Sequence, residues 1–219
     1  MTTYNWIGGP GNWDTASAWN PLGPPTAADT AIIGGTKAEA IVIESQNAVT
    51  TVILNDPNAS IGIGGAPGAE LTVTSTLAIE EGTFGIGGLG TLNATHIRIA
   101  APKGSTQPTN GTLWFPGSAT INATVENNGA IKAEGAAGSV VNFEKAVTGK
   151  GTADISGGGT LEFSKAVTEN IAFGAGGGTL SLLEPGKQSG NIAGFSVGDT
   201  IGLHGSCAFD NLYMNSFVY

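Results

Sequence analysis

Beyond residue 40 the chain reads as short apolar runs cut by turn residues. They include AIVIE (40–44), TTVILN (50–55), ASIGIG (59–64), ELTVTSTLAIE (70–80), GTLNATHIRIA (90–100) and GTLWFPG (111–117). ATINATVEN (119–127), VVNFE (140–144), GTLEFSK (159–165) and GTLSLLE (178–184) continue the series. Within many runs polarity reverses at each residue, which is the period of a half-buried strand. Gly, Asn or Pro usually follows, as turns require. No stretch of ten or more residues holds an amphipathic helical pattern, because Gly and Thr interrupt every candidate. The pattern predicts an all-β protein of many short strands.

Internal repetition turns that list of strands into an architecture. NFEKAVT (142–148) returns as EFSKAVT (162–168), and GGGTLEF (157–163) returns as GGGTLSL (176–182). Both offsets fall at or just under 20. A period near 20 with two or three short strands suits one coil of a parallel β-solenoid, whose coils stack about 4.8 Å apart. The expected fold is a right-handed parallel β-solenoid, or β-helix, with an aromatic N-terminal cap. Residues 1–27 form the cap in this reading, 28–203 supply about eight coils, and 204–219 form an incomplete last coil or edge. The rival is an antiparallel β-sandwich, which calls for longer strands and tight Asn-Gly hairpins.

Composition supports strands and removes several classes of partner. Of 219 residues 36 are glycine, only 11% are charged and 7% aromatic, yet 40% are hydrophobic and mean hydropathy is +0.11. That apolar content argues against simple disorder. The net charge is −9, and Arg98 is the only arginine. Phosphate neutralisation needs clustered Lys and Arg, so neither nucleic acid nor an anionic membrane surface is an expected partner. No apolar run approaches the roughly 20 residues of a membrane helix, and no membrane insertion by this chain is expected. Cys207 is the only cysteine, so no internal disulfide staples the fold. The start shows no basic region followed by an apolar one, so no signal peptide is expected there.

Trp6, Trp13 and Trp19, three of the four tryptophans, fall within YNWIGGPGNWDTASAWNP (4–21). Two readings stand side by side. A solenoid end exposes unpaired backbone groups over an apolar core, and large aromatics would make a lid for it. The same rings facing outward would make a platform for stacking sugars. The longer segment to Gly35 resembles the opening of β-helical passenger domains in bacterial autotransporter-like and large adhesin-type surface proteins. The likeness runs through Trp6, Gly8, Gly9, Gly11, Asn12, Trp13, Ala18, Trp19, Asn20, Asp29, Thr30 and Ile32. GGGTLEFSKAVTENIAFGAGGGTLSL and IAGFSVGDTIGL (192–203) look like repeats of the same proteins.

The resemblance implies a secreted or surface-displayed structural module, extracellular or on the bacterial cell surface, serving adhesion or biofilm. Many proteins of this group have no assigned activity, and a non-enzymatic role is the leading expectation. A carbohydrate or cell-surface ligand is the partner to expect, with a homo-oligomer or fibre formed through the solenoid ends. The 219 residues show no pattern of a leader or a membrane barrel, and the expectation is a module of a longer protein or a small stand-alone relative.

The alternative function is a carbohydrate-active or carbohydrate-binding β-helix of the pectate-lyase-like kind, which needs a base, clustered carboxylates or both. His96 and Arg98 are its best catalytic candidates, alternating on one strand beside inward Ile97 and Ile99. Glu80 and Glu81 are adjacent and point to opposite faces, while Asp154 and Glu162 are candidates to approach across coils. Thr72, Thr74 and Thr76 on one strand face raise a minor alternative, ice binding. GIGGLG (85–90) matches a dinucleotide fingerprint in letters only, because a strand pattern follows it instead of a helix. Asp29 and Asp199, each before Thr, are expected to close turns. His204 and Cys207 lack the two further ligands of a zinc site, so neither a metal nor a cofactor is expected.

Overall fold

The computed structural model describes residues 1–35, 39–88, 90–100 and 110–204. Among them run strands β1 (Thr3–Trp6), β2 (Gly11–Asn12), β3 (Trp19–Asn20), β4 (Thr30–Gly34), β5 (Glu39–Ile43), β6 (Gln46–Ile63) and β7 (Glu70–Ile86). Then come β8 (Thr91–Ile99), β9 (Thr112–Phe115), β10 (Ala119–Ile121), β11 (Thr124–Asn127), β12 (Ala130–Ala133), β13 (Val140–Phe143) and β14 (Val147–Gly149). The series ends with β15 (Thr152–Ile155), β16 (Thr160–Phe163), β17 (Asn170–Phe173), β18 (Thr179–Leu182), β19 (Ile192–Ala193) and β20 (Thr200–Leu203). The described helices are two 3₁₀ turns, Ala16–Ala18 and Pro185–Lys187.

Register shows why the chain coils. On the first face Ala31 pairs with Val52, Val52 with Leu77, Leu77 with Ile97, Ile97 with Val125, Val125 with Val147 and Val147 with Val167. Each lies one coil beyond the last, and all are buried. The second face stacks Ile41, Ile61, Phe84, Leu113, Ile131, Ala153 and Ile171 in the same way. The third carries β13, β16, β18 and β20 beyond β10, all parallel. The product is a three-sided parallel β-solenoid of about eight turns. Pairing between β1 and β3, with one isolated bridge, is the antiparallel exception among the described residues, so the sandwich is excluded.

The core is a narrow column of inward residues. Phe115 meets Phe143 edge-on with ring centroids 5.8 Å apart, and Phe143 stacks on Phe163 at 5.5 Å. Burying one such side chain is worth about 1.5–3 kcal/mol. Every coil therefore carries its own share of the stability and leans on the next.

Asn127 interrupts the apolar column. Ile33, Leu54, Ile79 and Ile99 form an inward row, and the next residue in register is Asn127. Its Nδ2 donates to the Thr152 carbonyl and to Glu169 Oε2, and its Oδ1 accepts from the Gly129 N–H. Asn127 and Glu169 reach each other past Gly151, where a Cβ would lie 2.6 Å from Asn127 Nδ2. Glycine in the intervening coil opens the space for the pair. Burial pushes the Glu169 carboxyl up to about 8, against the pull of Asn127 and with a further push from Asp154.

The N-terminal end is woven into the ladder. Thr3–Asn5 pairs parallel with Thr30–Ile32, and Trp6 pairs antiparallel with Trp19. The Trp19 ring sits edge-on to Trp6 at 5.0 Å and to Trp13 at 4.8 Å, and its Nε1 donates to the Trp13 carbonyl. Gly8 lies against this cluster, with room for hydrogen alone: a Cβ there would stand 2.9 Å from Ala18 Cβ.

The two Asp-Thr turns form as expected and use one device. Asp29 Oδ2 accepts from the Thr26 N–H and hydroxyl while Oδ1 takes the Thr2 N–H. Asp199 Oδ2 accepts from the Ser196 N–H and hydroxyl while Oδ1 takes the Gly178 N–H of the preceding coil. One oxygen closes the turn and the other fastens it to a neighbouring coil.

Candidate functional site

Strand β9 has the sequence TLWF. Leu113 and Phe115 are buried in the core, so parity turns Thr112 and Trp114 outward. Trp114 lies in an outward row in which Gly62 pairs with Gly85, Gly85 with Trp114, Trp114 with Lys132 and Lys132 with Asp154. The indole is held at both edges. Its Cε3 lies 3.0 Å from where a Cβ of Gly85 would stand, and its Nε1 donates to Glu134 Oε2 at 2.8 Å. Lys132 Nζ stands 4.0 Å from Glu134 Oε1. Burial pushes the Asp154 carboxyl up; Lys132 pulls it down and Glu134 pushes it further up. The result is a half-buried aromatic ring with an ammonium and two carboxylates within two coils of it. Such a surface offers a flat apolar contact ringed by hydrogen-bonding groups.

Trp6, Trp13 and Trp19 are 4%, 0% and 1% exposed. They bury one another, and no ring face is left open for a sugar. The lid reading accounts for their placement.

His96 and Arg98 lie outward on β8, with Ile97 and Ile99 buried behind them. His96 Nδ1 lies 3.0 Å from the Thr124 hydroxyl, and Arg98 Nη2 is 2.6 Å from Glu80 Oε1. Both side chains are thus engaged by neighbouring coils. Glu80 is buried beside Arg98. Asp154 and Glu162 do not meet: Asp154 is on the second face and Glu162 on the third. The threonine row is also corrected, because the register of β7 shifts between Val73 and Thr76 as the strand turns a corner. Thr72 and Thr76 therefore occupy different faces, and the ice-binding alternative loses its flat rank. Gly90, which ends GIGGLG, closes a coil: a Cβ there would fall 2.4 Å from the Ile63 carbonyl oxygen. Cys207 lies outside the described residues, and among those described no group of three or more His, Cys, Asp or Glu could hold a metal ion.

The third face has one discontinuity. β10 ends its sheet, pairing with β13 and not with β8. A groove of about 550 Å³ opens there, with Ile86, Leu92 and Val140 as apolar lining and Thr120, Asn142 and Glu162 as polar lining.

Comparison with family models, with curated proteins and with solved structures yields no match. The molecule is defined by its class, a three-sided parallel β-solenoid with an indole-packed N-terminal end. No helix among the described residues is long and apolar enough to cross a membrane.

Sequence reasoning missed the Trp114 patch. The available signal was parity: in TLWF, Leu113 and Phe115 take the inward places and leave the indole outside.

Proposed function

We propose that the chain is a rigid structural module of the adhesin type, secreted or displayed on a bacterial surface. The observation that carries this reading is the buried row from Ala31 to Val167, which continues without a gap through seven successive positions. Parallel ladders on three sides make such a rod stiff, because bending it in any direction strains backbone hydrogen bonds. The resemblance of residues 4–35 to bacterial surface β-helices supports the location, as does an acidic, arginine-poor composition. Labelling intact source cells with an antibody to the folded chain tests it. Signal on unbroken cells or in the medium is expected; recovery only after lysis would overturn the proposal.

End-to-end association belongs to the same reading. The last described coil leaves Phe195 and Val197 exposed and Ile201 and Leu203 half-covered. Sedimentation over a hundredfold concentration range is expected to show growing species, and a strict monomer throughout would remove the fibre.

A further inference from the structure

We infer that Trp114, Lys132, Glu134 and Asp154 form a binding site for a neutral polysaccharide on the second face of the solenoid. Saccharide rings present an apolar C–H face and a rim of hydroxyls. The patch presents the complement: an indole, and around it two carboxylates to accept hydroxyl hydrogens and one ammonium to donate. Its geometry is fixed before any ligand arrives. The indole is braced against Gly85 at one edge and hydrogen-bonded to Glu134 at the other, so little rotamer freedom remains to be lost on binding.

The row also suits a chain-like ligand. Trp114, Lys132 and Asp154 occupy consecutive coils in direct register, about 4.8 Å apart, a spacing close to the width of one sugar ring. On the other side of the indole a Cβ at Gly62 would meet nothing within 4 Å, which leaves the wall open for the chain to continue. Charge decides the class of sugar. Two carboxylates against one ammonium, on a molecule of net charge −9, disfavour uronic acids and sulfated glycans. This site is independent of where the protein resides, so its failure would leave the scaffold reading standing.

Electrophoresis of the full chain through gels containing soluble neutral polysaccharides tests the inference, with β-glucan, xyloglucan and glucomannan as probes and polygalacturonate as the acidic counterpart. Retardation by at least one neutral probe and none by polygalacturonate is expected. Trp114→Ala should weaken it about tenfold or more, as loss of a stacked aromatic does. Trp114→Phe should retain part of it, and His96→Ala, on another face, should leave it unchanged. Gly85→Ala, which pushes the indole off its seat, should weaken it while the melting curve confirms the fold. Three results would each overturn the site: no retardation of the wild-type chain by any neutral probe, full retardation of a folded Trp114→Ala variant, or preference for polygalacturonate.

Discussion

The N-terminal end and the middle of the second face use the same residue in opposite ways. Trp6, Trp13 and Trp19 sit among small residues, and their rings close on one another until almost no surface remains. Trp114 sits in a strand whose two inward places are already taken by Leu113 and Phe115. Its ring lies on the outside of the wall, braced by a glycine and a glutamate. Parity and neighbours, not residue type, decide whether an indole holds the fold or faces the solvent. Inward groups should then be costly to change and outward ones cheap.

The largest effect is expected at Trp13. Removing a fully buried ring loses its transfer free energy and leaves a cavity beside Trp19, so Trp13→Ala should cost about 3–5 kcal/mol. Urea titration followed by far-ultraviolet circular dichroism would show it as a lowered midpoint. A midpoint shift no larger than that of Trp114→Ala would break the contrast between the two regions.

Glu169 sharpens the contrast, because it is an inward group that can be charged or neutral. Its carboxyl ordinarily titrates near 4.5 and is pushed up to about 8 by burial. Between those pH values the folded chain keeps a proton that the unfolded chain has released. Stability is therefore fully present below about pH 4.5, falls as pH rises and levels off above about pH 8. At about 1.4 kcal/mol per pH unit, the cumulative loss from this group is on the order of 3 kcal/mol, allowing for partial relaxation. Glu169→Gln keeps the neutral shape and should flatten its part of the profile, standing above wild type at pH 8. Parallel profiles for the two chains across pH 5–8 would show that Glu169 is not held neutral.

A smaller loss is expected at Gly8. Its Cβ would press on Ala18 and on the Trp6 ring, so Gly8→Ala should cost about 1–3 kcal/mol by overpacking. Gly62→Ala, whose Cβ meets nothing within 4 Å, is the control, with a thermal melt as the measurement. Equal melting temperatures for the two variants would show that the cap yields more readily than its packing implies.

Much of the fold was legible because the strongest repeats copy inward residues. Phe143 and Phe163, and Val147 and Val167, hold matching places in NFEKAVT and EFSKAVT, and each pair is in register. β12 and β15 left weaker traces. AIKA and TADI each spend one of two inward places on an alanine, and Lys132 and Asp154 interrupt the apolar signal. The corner inside β7 was invisible, since a register shift carries no letter of its own, and Thr72 and Thr76 were therefore read as one rank. Distances across coils were equally hidden. Asn127 and Glu169 are far apart in the chain and meet only because Gly151 leaves them room. Glu134 reaches Trp114 because it follows Lys132, the partner of Trp114 in the next coil, by two residues, and the coil from Leu113 to Ile131 is much shorter than the one from Phe84 to Leu113. Such uneven coil lengths cannot be read from a drifting period near 20.

The smallest effect on stability should come from Trp114, although it is the largest side chain in its row. Trp114→Ala removes one exposed hydrogen bond to Glu134 and uncovers Gly85, which the indole shields. The inward residues Leu113 and Phe115 remain, and no cavity opens in the core. Water replaces most of the exposed hydrogen bond, and what is lost is chiefly the part of the indole that the wall covers, so the total change should stay at about 1–2 kcal/mol, below that of the cap. Equilibrium urea unfolding, run beside Trp13→Ala, measures both. A loss for Trp114→Ala of the size expected for the cap would mean that the outer indole is a structural brace. Its rigid seat on Gly85 and Glu134 would then serve the wall rather than a ligand.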